Sequence, residues 1–170
     1  VALGSLALVA AYPFMKRITW WPQAWLGMVF SWGALVGWLA IEPQFHWAMA
    51  LLYLGSIFWV IGYDTIYALQ DREDDALVGI RSSALRLGEN VRFGVLAFYL
   101  TALVSWAAAF WMLRPQWLGL VALIPVGLHL LWQVTTLKSA DGDDALGKFR
   151  SNRFAGFLMF LACLVIGQAG

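Results

Sequence analysis

An all-α bundle of membrane-spanning helices is the fold class this sequence predicts, and three observations carry the prediction. Of the 170 residues, 62% are hydrophobic and 12% charged, with a mean hydropathy of +0.73, a composition that belongs in lipid rather than in water. The apolar residues gather into five runs of close to the ~20 residues that a spanning helix needs. Ten of the eleven Lys and Arg residues fall just before the first run or in alternate links between the runs, as residues on the positive side of a membrane do.

In chain order, residues 1–11 are wholly apolar but only half a span long. They start without Met and lack the basic flank and cleavage site of a signal peptide, so they read as the tail of a sixth helix that begins upstream and ends at Pro13. Spans follow at 21–41, 47–70, 93–113, 116–137 and 154–168, the last somewhat short. Lys16 and Arg17 precede the first; Arg72, Arg81, Arg86 and Arg92 separate the second from the third; Lys138, Lys148, Arg150 and Arg153 separate the fourth from the fifth. Only Arg114 stands on the other side. The basic side is therefore read as the cytoplasmic face of a bacterial inner (plasma) membrane, with the C-terminus outside. One membrane domain is expected to account for residues 1–170. The net charge of +1 does not point to nucleic acid, because the cations are spent on topology rather than gathered on a soluble surface.

The single cysteine, Cys163, excludes a disulfide framework and a thiolate metal cluster and is expected to pack. His46 at a loop edge and His129 inside a span have no second ligand at metal spacing and read as structural. Trp20, Trp21, Trp25, Trp47, Trp111 and Trp117 cluster near span ends, as interfacial belts do. There is no internal repeat and no low-complexity stretch.

The stretch Asp64-Thr-Ile-Tyr67-Ala-Leu-Gln-Asp71-Arg-Glu-Asp-Asp75 holds five acids at the end of an apolar run, where carboxylates are expensive and usually functional. On one continuous helix, Asp71 and Asp75 lie about 20° to either side of Asp64, while Glu73 projects to the opposite side and Asp74 lies about 80° away. That stripe selects Asp64, Asp71 and Asp75. Asp71 and Asp75, one turn and about 6 Å apart along the axis, suit Mg²⁺, which takes one or two carboxylates and completes its shell with phosphates and water. Asp64, about 16 Å from Asp75 on that helix, must touch another part of the reaction. The plain alternative for the four later acids is a solvated helix end; it explains Asp64 worst.

Two further groups share that side of the membrane. In Tyr12-Pro-Phe-Met-Lys16-Arg17, two cations and a phenol occur within six residues; they are topology anchors, or they bind a diphosphate or a carboxylate, Arg in bidentate fashion. Gly79-Ile-Arg81-Ser82-Ser83 offers a guanidinium and hydroxyls for phosphate oxygens, or else a capped turn that starts another helix.

These residues resemble the UbiA-type intramembrane aromatic prenyltransferases, closest to the 4-hydroxybenzoate polyprenyltransferases of ubiquinone biosynthesis. The stretch from Asp64 to Asp75 is similar to the family's second Asp-rich motif, D-x-x-Y-A-x-x-D-x-x-x-D, and is followed by Gly79, Arg81 and Ser82. Tyr12 to Arg17 resembles its Y-x-x-x-K element, with Pro22, Gln23 and Gly27 in keeping. Asn152 is a weaker likeness. The resemblance runs from about Tyr12 to the C-terminus, and nothing in the sequence matches the family's first Asp-rich motif, N-D-x-x-D-x-x-x-D. The chain thus looks like the last five to six of about nine helices, with half the metal site outside it and the fragment alone not competent.

The resemblance implies that Mg²⁺ at Asp71 and Asp75 grips the diphosphate of a polyprenyl donor, and that the ring carbon ortho to the hydroxyl of 4-hydroxybenzoate attacks the resulting allylic cation. By the same resemblance Lys16, Arg17, Arg81 and Ser82 neutralise the diphosphate or the benzoate carboxylate, Tyr12 and Tyr67 orient these groups, Asn152 joins the substrate site, and Asp64 orients the phenol or takes the proton. Other acceptors within the family are an alternative. An ion-coupled transporter using Asp64 is a competing class. A phosphatidyltransferase is another, faintly suggested by Asp141-Gly142 and Ala145, but Leu146 stands where that signature needs Arg.

Overall fold

The computed structural model describes residues 3–168, with Lys16 and Gln168 described by backbone alone. Helices fill 84% of it and, among the described residues, there is no strand. The chain runs α1 (Gly4–Ile18), α2 (Pro22–Ile41), α3 (Trp47–Tyr67), α4 (Arg72–Val78), α5 (Ser83–Leu87), a 3-10 turn at Gly88–Asn90, α6 (Val91–Leu113), α7 (Trp117–Ala122), α8 (Ile124–Thr136) and α9 (Gly142–Gln168). Five stretches are long and apolar enough to cross a membrane, so the five predicted crossings stand.

Local chemistry explains where the elements start and stop. Pro22 occupies the first turn of α2, where a missing N–H costs nothing. His46 Nδ1 accepts the Ala48 N–H at 3.1 Å and caps α3. Pro125, which has no N–H and crowds the carbonyl four residues back, divides the fourth span at Leu123 into α7 and α8. Other boundaries depart from the sequence expectation. Pro13 does not end α1, which continues to Ile18. The third span begins at Ser83 rather than near Phe93, and α9 starts at Gly142 rather than near Phe154, because its amphipathic first turns pack Ala145, Lys148 and Asn152 inward. Cys163, expected to pack, is exposed on α9.

The third helix is the hub, packed on α2, α6 and α9. Gly55 and Gly62 let α6 approach it closely: a Cβ on Gly55 meets Trp106 Cδ1 at 2.5 Å, and one on Gly62 meets the Tyr99 ring. Small residues at such a crossing are how membrane helices gain contact without a hydrophobic driving force between them. Around this seam Ile66, Trp106, Phe110, Val126, Leu130, Ala155 and Ile166 form the core. By contrast only 11% of the α2 span is buried; its inward stripe is Gln23, Gly27 and Ser31, leaving the rest of the helix at the bundle's edge.

Polar bolts cross the apolar interior. Tyr99 of α6 donates to Gln133 Oε1 at 2.5 Å, and Gln133 Nε2 donates to Ser151 Oγ of α9 at 2.9 Å. Trp59 Nε1 of α3 donates to Asn152 Oδ1 of α9 at 2.9 Å. The Thr65 hydroxyl donates to the Ile61 carbonyl and lies 2.6 Å from Ser83 Oγ, while the Ser83 N–H donates to Gln23 Oε1 at 3.1 Å. A hydroxyl has one proton, so Ser83 is the donor to Thr65.

Because Gln133 fixes the Tyr99 phenol, its ring cannot swing away from an added methyl. Gly62→Ala is expected to destabilise the bundle by about 1–3 kcal/mol, seen as an earlier unfolding midpoint in a detergent titration followed by circular dichroism; an unchanged midpoint would contradict the close approach.

Candidate active site at the acidic turn

The acids do not lie on one helix. After Tyr67 the chain tightens into i to i−3 bonds, Leu69 N–H to the Ile66 carbonyl and Gln70 N–H to the Tyr67 carbonyl, both 3.1 Å, as Ala68 and Leu69 turn into the core. Asp71 then starts a new helix with φ −98° and ψ 8°. The single stripe through Asp64, Asp71 and Asp75 is therefore overturned: it extrapolated 3.6-residue periodicity across a break that burial of Ala68 and Leu69 imposes. With it goes the ground for setting Glu73 and Asp74 aside.

One part of that geometry survives. The Asp75 N–H donates to the Asp71 carbonyl at 2.7 Å, which keeps the two residues one turn apart, Asp71 exposed and Asp75 half-buried. They present oxygen donors, and among the described residues no three His, Cys, Asp or Glu side chains gather around one point. Such a pair suits Mg²⁺ shared with phosphates and fits poorly with a closed protein cage.

Asp64, in the last turn of α3 and half-buried, is near enough to act electrostatically on the phenols of Tyr12 and Tyr63. The fold thus brings the Tyr12 end of α1 to the acidic end of α3. Tyr67 is 38% exposed and its ring lies 4.6 Å from that of Phe149. Arg17 is exposed; the Lys16 side chain lies outside the described residues.

The remaining sequence candidates already hold structural bonds. Arg81 Nη1 donates to the Ile18 carbonyl at 2.7 Å, and its guanidinium sits 5.4 Å from the Trp20 ring centre; it ties the loop after α4 to the C-terminus of α1. Ser82 is 3% exposed, and its Oγ accepts the Leu85 N–H at 3.3 Å, capping α5. Asn152 spends its Oδ1 on Trp59 and its Nδ2 on the Lys148 and Phe149 carbonyls at 3.1 and 3.2 Å.

Two features escaped the sequence reading. Arg72, Glu73 and Asp74 line a cavity of about 580 Å³ with Gln70, Ser139 and Gly142; only the fold brings the link before α9 against the acidic turn. Trp59 and Tyr63 line open space on the α9 side of α3, and their spacing of four was the available signal.

A carboxylate pair one turn apart, a half-buried third acid and exposed cations at one end of a bundle with five apolar spans define an integral membrane protein with one polar end. Residues 1–164 match the UbiA prenyltransferase family, and the chain belongs to that family. It is 43% identical over 165 residues to the mitochondrial 4-hydroxybenzoate polyprenyltransferase of Drosophila melanogaster, covering 96% of this chain and 42% of that protein. Against the human protein of the same name the figures are 44% over 171 residues, 97% and 44%; against that of Arabidopsis thaliana, 39% over 167 residues, 98% and 41%. The chain spans less than half the length of these curated relatives. No solved structure shows a significant match. Family membership sets aside the transporter and the phosphatidyltransferase.

Arg81→Gln is expected to release the C-terminus of α1, giving severalfold faster cleavage by a protease at residues 18–21 in detergent; equal cleavage rates would show that the guanidinium does not hold it.

Proposed function

We propose that this chain supplies the second Asp-rich half of a Mg²⁺-dependent enzyme that moves a polyprenyl group from polyprenyl diphosphate to the carbon ortho to the hydroxyl of 4-hydroxybenzoate, in ubiquinone biosynthesis. The observation that carries this reading is the Asp71–Asp75 pair, one turn apart beside the polar end of the bundle. The names of the relatives supply the substrate class.

In this reading Asp71 and Asp75 are the residues that would hold Mg²⁺, together with acids from outside this chain; when bound it would supply charge neutralisation for a diphosphate leaving group. The chain's own side chains do the rest. Lys16 and Arg17, near the end of α1, neutralise the diphosphate. Arg81 and Ser82 contribute through their placement of the loop, and Arg81 has further N–H groups for an oxyanion. Tyr12 and Tyr67 orient the reactants. Asp64, half-buried and within electrostatic reach of Tyr12 and Tyr63, orients the acceptor phenol or takes the proton released when the ring carbon is alkylated. Asn152 acts from behind by setting Trp59. This chain by itself is inactive in this reading, because the pair lacks a second set of acids.

The compartment belongs to the same proposal. Basic residues crowd the end that carries the acids, which in a bacterial plasma membrane is the cytoplasmic side; the relatives' names place those proteins in mitochondria.

In the full-length gene product, Asp71→Asn and Asp75→Asn are each expected to lower Mg²⁺-dependent prenylation of 4-hydroxybenzoate by about 100-fold or more, the scale on which lost electrostatic stabilisation of a leaving group registers. Product formation is followed chromatographically with labelled acceptor. Turnover equal to the parent's in either variant removes that carboxylate from the mechanism, and parental turnover in Asp64→Asn does the same for Asp64.

A further inference from the structure

The groove between α2 and α9 has α3 as its floor. Trp59 and Tyr63 line two adjoining cavities, one of about 280 Å³ shared with Phe30 and Ser31 of α2, the other of about 290 Å³ shared with Arg150 and Arg153 of α9. The two arginines stand two to three turns into α9 and are exposed. A guanidinium set among apolar side chains of a spanning helix needs a partner or a water-filled space. Among the described residues neither makes a hydrogen bond or an ion pair.

Their neighbours differ. Lys148 pairs with Asp144 at 2.7 Å, Ser151 accepts from Gln133, and Asn152 holds Trp59. The polar residues at 148, 151 and 152 are thus consumed in holding the bundle, while 150 and 153 keep ten N–H donors between them for something else. A second observation lies across the groove: Ser31 is 6% exposed and its Oγ has no hydrogen-bond partner, an arrangement that costs stability unless a ligand or water completes it.

Resting on the functional reading above, we propose that Arg150 and Arg153 clamp the carboxylate of the aromatic acceptor, with its ring against Trp59 and Tyr63. A guanidinium takes a carboxylate in bidentate fashion, and two of them one turn apart enclose one. The aromatic walls favour a flat ring over a flexible chain. Asp71 and Asp75, which receive the diphosphate in the functional reading, lie beyond the end of α3, whereas the arginines sit beside its last two turns. An acceptor held by its carboxylate in the groove therefore points its phenol toward Asp64 and the acidic turn, where the donor's reacting carbon must be. Arg150 and Arg153 determine acceptor specificity; they do not touch the leaving group.

The test measures steady-state kinetics of the full-length gene product in membranes, for the parent and for Arg150→Gln/Arg153→Gln. The expected result is a KM for 4-hydroxybenzoate raised about tenfold or more and an unchanged KM for polyprenyl diphosphate. The unchanged donor KM also reports that the variant is folded. Should the Gln variant fail to accumulate, Arg150→Lys/Arg153→Lys, which keeps the charge and loses the fork, shows a smaller shift in the same direction. An acceptor KM within twofold of the parent's overturns the proposal, and so does a rise confined to the donor KM. If the parent itself does not prenylate 4-hydroxybenzoate, the functional reading falls. Equilibrium binding of labelled 4-hydroxybenzoate then decides the clamp separately: loss of binding in the variant sustains it, and equal binding overturns it.

Discussion

The close approach of α3 to α6 underlies everything else in this bundle. Gly55 and Gly62 permit it, and Trp106 and Tyr99 fill the space that two side chains would have taken. Once α3 is fixed there, its other faces acquire defined neighbours: Gly27 of α2 beside Ile57, Asn152 of α9 on Trp59, and Tyr12 near Asp64. In hydrocarbon the apolar faces supply little preference for one helix over another. Position comes instead from shape at the glycines and from hydrogen bonds that have no water to replace them.

The polar residues therefore fall into two groups. Gln23, Thr65, Ser82, Ser83, Gln133 and Asn152 are buried and bonded within the bundle. Asp71, Arg17, Arg150 and Arg153 are exposed at the polar end or in the groove beside it. Arg81 belongs to both, with one N–H committed to the end of α1. Side chains of the first group fix the placement of the helices, while those of the second are open to solvent or to a ligand.

Much of this was legible in the sequence, because a membrane helix must satisfy its own backbone and so announces itself by length and hydropathy. The existence of five spans and the gathering of acids and cations between them could be read from the letters, although two of the spans begin well before hydropathy marks them. The break after Tyr67 could not, since nothing in Ala68-Leu69-Gln70 disfavours a helix; the chain tightens there because two apolar side chains find the core. The early start of α9 was hidden for a related reason: Lys148 and Asn152 look like loop residues until Asp144 and Trp59 accommodate them. Hydroxyl roles were equally opaque. Ser82 reads as a phosphate ligand or as a helix cap with the same letters, and only the Leu85 N–H distinguishes the two.

The chain of bonds from Gln23 through Ser83 and Thr65 to Ile61 has a consequence for how such a sequence can drift. Each member is fully enclosed or nearly so, and each holds the partner of the next. Replacing any one by an apolar residue strands a donor or acceptor on another helix, at about 1–3 kcal/mol each. Replacing all three together still strands one, because the Ser83 donor to Gln23 is its backbone N–H and remains whatever side chain stands there. Inheritance thus finds Gln23 held to α5 through the main chain, and Thr65 and Ser83 locked to each other across two helices.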